Sequence, residues 1–188
     1  LIVAVKGVGG YHLLCDARHD TAIARLRRLK PRPHKPLAVM FPFAGEDGLE
    51  LVRGAAIVHR DVARLLLDAA RPIVLLEKRT PFPLSTLLAP DLNEVGVFLP
   101  YSPLHALLVN DFGSALVATS ANLSGEPVLT DNHETETRLA AVADAFLHHD
   151  RPIVRPADDS VYRTIARRPR PLRLGRGVAP LELDLPFT

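Results

Sequence analysis

Along this chain, short apolar runs punctuated by glycine and proline alternate with stretches whose apolar residues recur every three or four positions. Residues 1–5 form one such run, Gly7, Gly9 and Gly10 close it, and residues 11–15 resume it. That pattern predicts a strand, a tight loop and a second strand. Asp16 is placed to cap a helix over 19–29, whose Ile23, Leu26 and Leu29 share a face. A strand follows at 37–41, then a glycine turn at 45–48. A short helix is predicted over 49–56, and Val62, Leu65, Leu66, Ala69 and Ala70 mark another.

The second half repeats the alternation. Strands are predicted at 73–76, 95–99 and 115–118, with a proline-rich irregular surface segment at 80–93. Ser102-Pro103 opens a helix with Leu104, Leu107 and Leu108 inward, since proline is accepted in a first turn. Leu139, Val142, Ala143 and Phe146 give residues 135–147 a helical face, and short strands are read at 153–155 and 160–165. Arginines and prolines crowd residues 167–188, which suits a C-terminal arm better than a core element. The whole reads as one α/β (α+β) domain over 1–188, built on a mixed sheet. Because the first residues are already strand-like and no methionine leads them, a piece of a longer polypeptide is expected.

Composition narrows the class. With 47% hydrophobic and 23% charged residues, the 188-residue chain can bury a substantial core. No run reaches transmembrane length and no leader pattern is present, so the cytoplasm is the expected location and a membrane partner is not. The single cysteine, Cys15, offers neither an internal disulfide nor a cysteine zinc cluster, and its apolar setting suggests a buried small hydrophobe. The histidines show no metal-ligand spacing, so no zinc is expected. Net charge is only +2, so local clusters matter more than the total.

The densest cluster is Lys30-Pro31-Arg32-Pro33-His34-Lys35-Pro36. Repeated prolines hold such a segment extended and display its cations at fixed positions, as a phosphate-bearing ligand requires. A solvated surface is the competing reading. Thr119-Ser120-Ala121-Asn122 ends an apolar strand, where hydroxyls and an amide hold phosphate, ribose or carbonyl groups, although the same residues also simply make turns. Lys6-Gly7-Val8-Gly9-Gly10 is glycine-rich but fits neither the dinucleotide fingerprint nor the P-loop. Asp158-Asp159 offers carboxylates for magnesium, or ordinary caps. Arg173 and its neighbours form a second basic cluster that suits RNA as readily as nucleotide. With no tryptophan and 5% aromatics there is little for nucleic-acid bases to stack on, so nucleic acid is an unlikely partner.

Taken in order, several segments resemble the YrdC-like family, in the form that serves as a domain of hydrogenase-maturation carbamoyltransferases (HypF). They are Val5-Lys6-Gly7-Val8-Gly9-Gly10-Tyr11-His12-Leu13, Lys30 through Met40, Thr119-Ser120-Ala121-Asn122-Leu123-Ser124-Gly125 and Asp158-Asp159-Ser160-Val161. The resemblance implies a twisted mixed sheet flanked by helices, with a basic concave cavity for ATP. It implies Lys30 and Arg32 as the catalytic cations at the phosphates, with Lys35 in support, and Thr119, Ser120, Asn122 and Arg173 as further nucleotide contacts. Gly9, Gly10, Tyr11 and His12 would meet the small substrate, and Asp159 a magnesium ion held with ATP.

Threonine-using members of the family carry a hydroxyl where this chain has Gly9, so the resemblance implies carbamate as the group adenylated. It also implies neighbouring acylphosphatase-like and carbamoyl-transfer domains, with HypE as the protein partner. A threonylcarbamoyl-AMP synthase, the adenylating domain of an O-carbamoyltransferase and a non-catalytic RNA-binding module remain as alternatives.

Overall fold

A computed structural model describes residues 1–30, 35–122 and 126–181. Its nine strands are β1 (Val3–Lys6), β2 (Tyr11–Asp16), β3 (Ala38–Met40), β4 (Ile73–Glu77), β5 (Glu94–Phe98), β6 (Leu116–Ser120), β7 (Ala145–Leu147), β8 (Val161–Ile165) and β9 (Arg168–Arg173). They form one sheet in the order β7-β1-β2-β6-β3-β5-β4-β8-β9. β1–β7, β3–β5 and β4–β8 are parallel and the other neighbours antiparallel, so the sheet is mixed as expected. The helices are α1 (Asp20–Leu29), α2 (Glu50–Ala55), α3 (Arg60–Leu67), α4 (Pro103–Phe112) and α5 (Asn132–Leu139).

Strand alternation sends successive side chains to opposite faces and so divides the core. On one face Leu13, Cys15, Val39, Val97 and Val117 pack with Ile23 and Leu26 of α1, Val52 of α2, Leu66 of α3 and Leu139 of α5. On the other, Leu14, Met40, Phe98 and Leu116 meet Val109 of α4. Burial pushes the Cys15 thiol up to about 12, which suits an inert core residue.

Several local expectations are corrected. His19, not Asp16, caps α1, its Nδ1 accepting from the Ala22 amide at 3.3 Å. The Asp16 carboxylate instead accepts from the Arg18 amide and guanidinium. The helix read over 135–147 ends at Leu139. Phe146 belongs to β7, paired with Ala4, because Asp144 anchors the Ile2 amide and so steers the chain onto the sheet edge. Leu104 and Leu108 pack inward as expected beside buried His105 and Val109, but Leu107 points outward at 62% exposure. No strand forms at 153–155. The expected arm contains β9, paired with β8; its prolines are tolerated because this is an edge strand. No helix among the described residues is long and apolar enough to cross a membrane.

These corrections separate two leucines that look alike in the sequence. Leu139→Ala should lower stability by about 2–5 kcal/mol through cavity formation. Leu107→Ala should stay within about 0.5 kcal/mol, as exposed positions do. Urea unfolding of both variants provides the comparison.

Candidate functional site

Where α4 stops covering its face of the sheet, small residues leave a hollow. Ala38, Gly96 and Ala118 lie on the floor of a cavity of about 390 Å³ with Ile73, Leu75 and Val161. A Cβ at Gly96 would sit 3.1 Å from Ile73 Cγ2, so the glycine lets β4 and β5 close beneath the cavity. Lys35, Thr119, Ser120, Asn122, Asp159 and Arg173, separated widely in sequence, meet on its walls.

Both ends of the basic connector are anchored. Lys30 follows the last residue of α1, is 4% exposed, and donates from Nζ to the Ser120 carbonyl. Arg27 donates to the carbonyls of Leu87 (2.6 Å), Leu88 (3.0 Å) and Lys35 (3.3 Å), tying the far end to the turn after β4. Arg32 lies outside the described residues. The Asn122 amide donates to the Glu126 carbonyl at 2.6 Å, leaving Oδ1 buried and without a donor among the described residues. A buried acceptor in this condition is costly, and it sits where a ligand donor would be welcome.

Asp159, on the cavity wall, is held from behind by Arg176. Asp159 Oδ1 accepts from Arg176 Nε at 3.1 Å and Nη2 at 2.9 Å, with each side chain 13% exposed. Arg176 also donates to the carbonyls of Ala70 and Arg71, and its guanidinium lies 3.4 Å from the Tyr101 ring centroid. Asp159 Oδ2 faces His12 Nε2 at 3.5 Å, and His12 Nδ1 lies 3.3 Å from the Tyr101 hydroxyl. Burial alone would raise the Asp159 pKa, but the hydrogen bond and charge of His12, together with Arg176, hold it at about 2. Beside them His105, 1% exposed, has no hydrogen-bond partner for either ring nitrogen among the described residues. Burial, then the nearby His12 charge, lowers its pKa to about 3 and keeps it neutral.

This arrangement bears directly on magnesium. Both Asp159 oxygens are turned to cationic or donor groups, so the carboxylate does not fit a metal-ligand role. Among the described residues no group of three or more His, Cys, Asp or Glu side chains is arranged to hold a metal. Arg176 was missed in the sequence because it is one of six arginines after residue 160; pairing it with Asp159 requires the fold.

The loop residues divide between the faces. Gly10, Tyr11 and His12 border a void of about 10 Å³, which shares Ser120, Asp158 and Asp159 with the large cavity. The Tyr11 side chain crosses to the opposite face, its hydroxyl 2.7 Å from both Asn132 Oδ1 and His148 Nδ1. His148 Nε2 lies 2.8 Å from Glu136 Oε1, so His148 bridges Tyr11 to α5. Gly9 borders neither space. Its carbonyl accepts from the Ala157 amide, and a Cβ there would lie 2.7 Å from the Ala157 oxygen. At Gly10 a Cβ would fall 1.8 Å from Val128 Cγ1.

Residues 1–175 match the Sua5_yciO_yrdC family model, described as telomere recombination. The chain is 47% identical to the carbamoyltransferase HypF of Synechocystis sp., over 98% of this chain and 24% of that protein. It matches T. kodakarensis HypF with a TM-score of 0.91 at 42% identity, covering 99% of this chain and 24% of the other. A full-length HypF crystallised in its phosphate- and nucleotide-bound form gives 0.88 at 45% identity, covering 95% and 28%. The chain belongs to the Sua5–YciO–YrdC family, as a YrdC-like domain of the HypF kind. It spans about a quarter of the length of the HypF relatives it matches.

Removing either partner of the Asp159–Arg176 pair strands a buried charge. Arg176→Ala should therefore cost about 3–5 kcal/mol. Because the folded pKa of Asp159 is depressed, its stabilisation is present above its ordinary value of 3.8 and fades as pH falls toward about 2. Asp159→Asn should flatten that acid limb of the urea midpoint relative to the parent chain; an unchanged limb would remove Asp159 from the linkage.

Proposed function

We propose that the domain binds ATP in the 390 Å³ cavity and adenylates carbamate, giving carbamoyl-AMP and pyrophosphate. The observation that carries this reading is the meeting of Lys35, Thr119, Ser120, Asn122 and Arg173 around one cavity of nucleotide size, in a chain akin to HypF. A carbamate oxygen attacks the α-phosphorus, a new C–O–P linkage forms, and the bond to the β-phosphate breaks. Negative charge shifts to the leaving pyrophosphate. Arg173 and Lys35 supply cations there and Arg32 completes the set on the connector; Lys30, buried and bonded to the Ser120 carbonyl, anchors the connector against β6, and Ser120 and Asn122 orient the nucleotide. Gly10 and His12 border the small void, which is no bigger than a water molecule, so the carbamate would lie at that end of the large cavity, beside Ser120 and Asp159. The Asp159 carboxylate, expected to meet magnesium, is engaged by Arg176 and faces His12 instead.

In the longer polypeptide, an acylphosphatase-like neighbour would supply carbamate from carbamoyl phosphate. A carbamoyl-transfer domain would then pass the group to HypE, toward the cyanide ligands of [NiFe]-hydrogenase. Threonine as the alternative substrate is disfavoured because position 9 is glycine and offers no side-chain hydroxyl to hold it.

Calorimetric titration with ATP tests the binding half. Arg173→Ala and Arg32→Ala should each weaken ATP by about tenfold, as loss of a charge-assisted phosphate contact does. Pyrophosphate exchange in the intact polypeptide should depend on carbamoyl phosphate and not on threonine plus bicarbonate. Parental exchange in both variants, or exchange driven by threonine, would overturn the assignment.

A further inference from the structure

Asp159 brings a negative charge to the wall of a cavity whose proposed ligands, ATP and carbamate, are themselves anions. It borders both the large cavity and the small void at its end. With magnesium ill-suited to this carboxylate, its presence there calls for another partner, and its surroundings define which kind.

Donors surround the carboxylate from the protein side. Oδ1 accepts from both Nε and Nη2 of Arg176, which occupies both lone pairs of that oxygen. Oδ2 faces His12 Nε2 at 3.5 Å. Across the ring, His12 Nδ1 lies 3.3 Å from the Tyr101 hydroxyl. Burial and then the Asp159 charge raise the Tyr101 pKa, so this hydroxyl keeps its proton and can donate it to Nδ1. The proton of a neutral His12 ring then lies on Nε2, directed at Asp159. That leaves Oδ2 one lone pair for the cavity.

Burial opposes ionisation of Asp159, but His12 and Arg176 together keep it ionised. An ionised carboxylate accepts hydrogen bonds and cannot donate them. Whatever meets Oδ2 from the cavity must therefore bring a hydrogen. Carboxylate oxygens and ionised phosphates bring none, whereas the amino group of carbamate brings N–H donors. The chemical step makes no such distinction, because any carboxylate can attack the α-phosphorus. Acetate differs from carbamate by a methyl group of similar size in place of the amino group. A methyl against Oδ2 would leave a largely buried anionic oxygen without its donor, and sites built to accept an N–H discriminate strongly against analogues that lack it.

Building on carbamate adenylation as proposed above, we infer that Asp159 determines substrate specificity: Oδ2 accepts an N–H of the carbamate amino group and so excludes simple carboxylates. Pyrophosphate exchange in the intact polypeptide, driven by ammonium carbamate or by sodium acetate, tests this alongside calorimetry with ATP. In the parent, kcat/KM for acetate should lie at least about a hundredfold below that for carbamate. In Asp159→Asn the amide oxygen can still accept from Arg176, which turns the amide nitrogen, a donor, toward His12 and the cavity. Carbamate-driven exchange should then fall by about 10- to 100-fold while acetate-driven exchange holds or rises, and ATP affinity should stay within about twofold.

A smaller gap between the two acids in the parent, or an unchanged ratio in Asp159→Asn, overturns the proposal. So does loss of ATP affinity with the ratio kept, which would give Asp159 to a hydroxyl of the nucleotide. The parental comparison needs no variant and still tests the proposal if Asp159→Asn fails to fold. A parent that binds ATP but shows no carbamate-driven exchange would instead remove the adenylation reading, and this assignment with it.

Discussion

The Asp159–Arg176 pair is the contact on which the site depends. A buried ion pair stabilises a fold only when its remaining donors and acceptors are also satisfied. Arg176 meets that condition: its guanidinium holds one carboxylate oxygen, two main-chain carbonyls at the turn before β4, and the face of Tyr101. One side chain thus joins the segment after β9, the turn after α3 and the loop after β5. Gly177, at φ +80°, lets the chain pass against Ala70 and deliver the arginine there. The second carboxylate oxygen then faces His12, which connects the same pair to β2.

From that frame the cavity follows as a consequence of where bulk is absent. α4 covers one end of its sheet face, while Ala38, Gly96 and Ala118 are too small to fill the other. The polar walls come from chain segments whose ends are fixed independently. Lys30 is bound to the Ser120 carbonyl, and Lys35 is held through its own carbonyl by Arg27. A cation near phosphate gains from such anchoring, because little side-chain or loop freedom remains to be lost when the ligand arrives.

Much of this was legible in the residues, and the failures have physical causes. Apolar runs bounded by glycine or proline located β1 to β6, since strands buried on both faces need continuous apolar character. The end of α5 was hidden because Leu139, Val142, Ala143 and Phe146 keep helical spacing across a turn and into β7. β9 was hidden because proline demotes a strand, yet an edge strand lacks a partner on one side and tolerates it. Lys35, Thr119, Ser120, Asn122 and Arg173 of the cavity wall lie in ordered sequence motifs, whereas Arg176 has no local signature. Its role arises from contacts with residues about 17 and 105 positions away, which no window of sequence contains.

The glycine loop shows why packing and recognition need not be rival explanations. Gly9 and Gly10 lack side chains because Ala157 and Val128 occupy the space where a Cβ would stand. That is a packing requirement, and taken alone it would make the loop structural. Yet the same close approach leaves a void of about 10 Å³ between the loop, His12 and Ser120, next to a cavity some forty times larger. A space of that size admits a group no larger than a water molecule without rearrangement. The glycines therefore shape the end of the large cavity by letting neighbouring segments close. Alternation along β2 completes the division: Tyr11 braces the loop from the α5 side, and His12 remains on the cavity side.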